Sequence, residues 1–62
     1  MNGEEAQAEL YDRCVALAEH VKVLRDYATT PNNIWLARME LNQIQELAGE
    51  IEQLLAKIKA SE

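Results

Sequence analysis

Sixty-two residues hold one small domain, and at that size a core seldom suffices without a disulfide, a metal or oligomerisation. The single cysteine, Cys14, excludes an internal disulfide, and with His20 as the one histidine the chain falls short of a four-ligand zinc site. A net charge of −5 disfavours nucleic-acid and anionic-membrane partners, which call for a basic field, while 48% hydrophobic residues set the chain apart from a disordered acidic tail.

Of the three supports available to a small domain, oligomerisation is the one that remains. No run approaches the roughly 18 apolar residues of a membrane span, and no basic start followed by an apolar stretch marks a signal peptide. Together with the free thiol, this leads us to expect a cytoplasmic protein.

In chain order, the pattern predicts an all-α fold, an antiparallel two-helix hairpin spanning 1–62, with a helix over 4–28, a turn over 29–33 and a second helix over 31–60. In the first helix Leu10, Cys14, Leu17, Val21, Leu24 and Ala28 step by alternating fours and threes, the spacing of a coiled-coil seam. Glu4, Glu5 and Glu9 suit the positive helix start, and Glu9 with Arg13 forms an (i, i+4) pair worth a few tenths of a kcal/mol.

The turn Thr29-Thr30-Pro31-Asn32-Asn33 carries the only proline, with Thr30 or Asn33 as the N-cap of the second helix. A connection of two to five residues fits antiparallel neighbours. The second seam reads Ile34, Ala37, Leu41, Ile44, Ala48, Ile51, Leu55 and Ile58. Leu47 and Leu54 broaden it, and Lys57 and Lys59 suit the negative helix end, near Glu4 and Glu5.

Two helices cannot enclose a core from every side. Leu47, Leu54, Tyr11, Val15 and Ala18 flank the seams and stay wet in a lone hairpin, so pairing two hairpins into a four-helix bundle is expected. Each Leu or Val fully buried there contributes about 1.5–3 kcal/mol. A homodimer is the first expectation, with a higher oligomer as the alternative.

Trp35, Leu36 and Met39 fall off the second seam, and Val23 and Tyr27 off the first, all at the turn end. Such a cluster marks either a subunit contact or a surface for another molecule, with Val23, Leu36 and Met39 as candidate partner-binding residues. Arg25 and Arg38 flank it. An arginine beside an aromatic ring can stack under a base while gripping a phosphate, and a helix start nearby offers free N–H groups to an anion. Tyr11, Arg25, Tyr27, Trp35 and Arg38 are therefore candidate ligand-binding residues for a small nucleotide.

Catalytic chemistry finds little footing. His20 falls beside the seam on the solvated side, with no assignable nucleophile or orienting carboxylate, and Cys14 reads as a small core residue. No Glu-x-x-His pair for a di-iron bundle, phosphate loop or nucleophile elbow is present, so neither enzyme activity nor a metal or other cofactor is expected. The Ala48-Gly49 pair offers a small-residue notch, at a helix-propensity cost of about 0.8–1.0 kcal/mol for the glycine.

In length and heptads the chain looks like the plasmid copy-number RNA-binding hairpins, which dimerise into four-helix bundles. Arg13 followed by Leu17-Ala18, Pro31 at the turn, and Leu36-Ala37 followed by Glu40-Leu41 resemble the helical-hairpin domain of phage sponge proteins, which sequester nucleotide signals of bacterial immunity. That family's usual Ser-Arg-Glu segment after the proline and its late Trp-Ala-Asn segment are absent here. The resemblance implies an oligomer that holds a cyclic nucleotide or ADP-ribose derivative between subunits without cleaving it. The other reading is a protein-interaction module that presents Trp35, Met39 and Tyr27 to a host or regulatory protein.

Overall fold

Between Glu4 and Ala28 no proline or glycine interrupts the chain, and between Ile34 and Ser61 only Gly49 does, so both stretches can propagate helix without a break. The computed structural model describes residues 3–61 and shows helix α1 (Gly3–Ala28), a single 3-10 turn (Pro31–Asn33) and helix α2 (Ile34–Ser61). The helices pack antiparallel in one layer, with extents of 47 × 14 × 12 Å. None of the described helices is long and apolar enough to cross a membrane.

The turn resolves the choice of caps in an unexpected way. Thr30 has extended geometry and precedes Pro31, but its side chain does not cap the 3-10 turn. Its hydroxyl and that of Thr29 instead donate back to the Asp26 carbonyl, at 3.2 and 2.9 Å. Thr29 N–H and Thr30 N–H donate to Arg25 and Tyr27 carbonyls, so both threonines finish α1. The last carbonyls of a helix lack intrahelical donors, and a hydroxyl three or four residues on is well placed to supply one. The Asn33 N–H then closes the 3-10 turn on the Thr30 carbonyl at 3.0 Å, and α2 proper begins at Ile34.

The seam is rotated from the expected one. Leu10, Leu17 and Leu24 do face α2, but Cys14, Val21 and Ala28 are exposed, and Arg13, His20 and Tyr27 take the half-buried places between the leucines. On α2 the inward line is Ala37, Glu40, Ile44, Leu47, Ile51, Leu54 and Ile58, and Ile34, Leu41, Ala48 and Leu55 turn outward. Leu54, expected at the margin, is 5% exposed. Each helix carries an apolar stripe wider than one partner can cover, and the hairpin uses one edge of it.

His20 opposite Glu40 sets the register. Stepping along both helices from that pair places Leu24 against Ala37, Leu17 against Ile44, Leu10 against Ile51 and Ala6 against Leu54. Ala6, Ala37 and Leu54 are the buried apolar residues among those described, and two of the three are alanines. Ala6 is 2% exposed, yet among the described residues no large side chain is wholly enclosed. This is a thin core for a folded domain.

Candidate interaction surface

In an antiparallel pair the residues beside the seam line up flank to flank, so each side of the hairpin is built from both helices. One side carries Cys14 and Val21 from α1 and Ile34, Leu41, Ala48 and Leu55 from α2, all exposed. Ile34 and Leu55 expose 60% and 50% of their surface, large fractions for residues of their size and apolarity. Tyr11 and Ala18 border this stripe on α1, and Arg38 and Glu52 border it on α2 by the same heptad count. The other side carries most of the acids, among them Glu9, Asp12, Glu19, Glu46 and Glu50. The hairpin is thus apolar on one face and anionic on the other.

The five residues proposed as a nucleotide site are not gathered in a single hairpin. Tyr11 stands 16 residues from Tyr27, about 24 Å along α1. Tyr27 is half-buried in the seam, whereas Trp35, 64% exposed, points out from the back of α2. Arg25 and Arg38 are exposed on the stripe side, and Arg25 makes a 3.7 Å ion pair with its neighbour Asp26. Of the proposed partner-binding residues, Met39 is exposed, while Val23 and Leu36 are half-buried on the anionic side. The expected turn-end patch of Val23, Tyr27, Trp35, Leu36 and Met39 is therefore divided, three of its members helping to close the hairpin. The physical reason is the seam rotation, which turns Tyr27 inward and carries Val23 and Leu36 to the seam's edge.

Arg13 also departs from expectation. Its Nε donates to Glu50 Oε1 across the hairpin at 2.9 Å, a cross-helix pair in place of the expected one with Glu9 along α1. These groups line an open groove of about 110 Å³ with Glu9, Gln53, Leu54 and Lys57. It is well under the 300–1,000 Å³ of typical small-molecule pockets.

Sequence reasoning missed one constellation altogether. The His20 ring and the Glu40 carboxylate share a hydrogen bond across the seam, Nδ1–H to Oε2, at 2.7 Å. The carboxylate orients the ring, a role for which no residue could be assigned before the register was known. Among the described residues no hydrogen bond joins His20 to a Ser, Thr, Cys or Tyr side chain. Cys14, nearest in sequence as a nucleophile, lies on the exposed side, six residues away along α1. The pair bridges the two helices as a polar contact inside the seam. No cluster of three potential metal ligands forms among the described residues.

Compared with known proteins, the chain matches no family model, no curated protein and no solved structure.

Proposed function

We propose that this chain is a non-catalytic binding module that uses the apolar side of its hairpin to take up another helical surface. The observation that carries this reading is the continuous stripe of Val21, Ile34, Leu41 and Leu55, outward-facing along both helices of a chain with a thin core. Exposed apolar surface of this extent is costly in water and marks an interaction site. The acids gathered on the opposite side stay solvated when the stripe is covered.

A photo-crosslinking side chain at position 41, compared with one at position 46 on the anionic side, tests the reading in cells expressing the protein. Adducts to another polypeptide through position 41 and none through position 46 are expected. Equal labelling through both, or none through 41, would overturn it.

A second reading, the sequestration of a small anionic nucleotide between subunits, draws on Arg25 and Arg38, which lie on the stripe side of α1 and α2 toward the turn. A thermal-shift screen against cyclic di- and trinucleotides and ADP-ribose derivatives tests it. A ligand at 100 times its Kd adds about 2.7 kcal/mol per site, which is roughly 10 °C or more in a domain this small. A flat screen on the folded protein would remove this reading and leave the first standing.

A further inference from the structure

We infer that the occupant of the apolar stripe is a second copy of this chain, docked stripe to stripe about a two-fold axis that lies between the copies and perpendicular to the helices. The inference rests on the binding-module reading and names its partner. In this arrangement α1 packs antiparallel on α1 of the partner subunit, and α2 on α2, giving a four-helix bundle with the anionic sides outward.

A two-fold contact demands that a single surface be complementary to itself, and the stripe meets that demand. On α2, an axis midway between Leu41 and Ala48 sets Leu41 against Ala48 of the partner subunit, large against small. It sets Ile34 against Leu55 of the partner subunit at both ends. On the border the same operation brings Arg38 to Glu52 of the partner subunit, twice by symmetry, which pairs opposite charges where the interface meets water.

On α1, an axis midway between Cys14 and Val21 sets those two residues against each other across the copies and Ala18 against its own equivalent. It also lays Arg25 over Tyr11 of the partner subunit, a cation–aromatic contact for a ring that is 70% exposed in the lone hairpin. The hairpin register places the two axis positions within about two residues of one level, roughly 3 Å along the helices. One axis can serve both helices.

The alternative axis, parallel to the helices, would lay α1 on α2 of the partner subunit. It brings Arg38 toward Arg25 of the partner subunit, like charge toward like, and leaves Glu52 without a cation opposite, so charge selects the perpendicular axis. The size is also right. A face 47 Å long and two helix diameters wide offers roughly 900 Å² per copy, against about 800 Å² per partner in a standard stable interface.

The decisive experiment joins a cysteine pair to a charge swap. In Val21→Cys, air oxidation should link the new thiol to Cys14 of the partner subunit and yield a covalent dimer on a non-reducing gel. Wild type should stay single-chain on the same gel, since its two Cys14 residues lie about seven residues apart along the helices, roughly 10 Å. Val15→Cys, at the back of α1, should not be linked.

Sedimentation equilibrium should show a dimer for wild type, a tenfold or greater weakening for Arg38→Glu or Glu52→Arg alone, and recovery in the double swap. A folded, helical monomer at micromolar concentration would overturn the inference, and so would a dimer in which neither the cysteine link nor the charge rescue appears. If position 41 still captures a different polypeptide from such a monomer, the binding-module reading survives and the second copy does not.

Discussion

Leu54 is the large side chain that α1 covers most completely, and Gly49, in the middle of α2, has open space where a side chain would stand. Truncating Leu54→Ala removes most of what a large side chain contributes to the buried set, and should lower stability by about 2–5 kcal/mol in urea unfolding. Gly49 is different. A Cβ built there meets nothing within 4 Å, so Gly49→Ala should stabilise the protein by about 1 kcal/mol, read as a higher urea midpoint at unchanged slope. The Ala48-Gly49 notch is therefore open toward solvent on the glycine side. Arg13 and Glu50 have side chains 40% and 48% exposed, so Arg13→Ala should cost less than about 1 kcal/mol despite the short bond.

At the scale of the helices, the informative contact is His20 with Glu40. Any slip of α2 along α1 separates them, and a polar pair in an apolar seam is a known means of selecting one register at some cost in stability. Glu40→Leu should destabilise by about 1–3 kcal/mol, because the half-buried imidazole loses its acceptor. The double variant His20→Leu with Glu40→Leu should recover that loss or exceed wild type while admitting alternative registers. Broadened amide resonances in the double variant, with a raised thermal midpoint, are the expected signature. A double variant as well ordered as wild type would show that the leucine layers set register unaided.

The break between the helices was legible in the chain, because Pro31 and the threonines before it speak locally. The 3-10 geometry of residues 31–33, which moves the start of α2 to Ile34, was not. Nor was the pairing of His20 with Glu40. It joins residues 20 apart in sequence and exists only once the helices are aligned.

The whole molecule presents an apolar side, an anionic side and a core of small residues. If two copies share the apolar side, stability depends on protein concentration. Tenfold more protein should then raise the thermal midpoint by roughly 3–6 °C, measured by circular dichroism across a dilution series. A midpoint independent of concentration would mean that the hairpin holds itself together as a single chain. Because the net charge is −5, added salt should strengthen a dimer formed by two like-charged copies, apart from the screening of its rim pairs.

The residue pattern alone determined two long helices, a turn at Pro31 and an antiparallel return, since propensity, spacing and proline geometry act over a few residues. It also determined that apolar positions outnumber those one partner can cover. Which of those positions turn inward was decided by the tertiary structure. Seams through Leu10–Cys14–Leu17 and through Leu10–Arg13–Leu17 differ by only a small rotation of α1. In the rotation adopted, Arg13 is half-buried in the seam while its Nε reaches Glu50 at 2.9 Å. His20 finds Glu40 in one rotation, and that rotation leaves Cys14, Val21, Leu41 and Leu55 together on the outside.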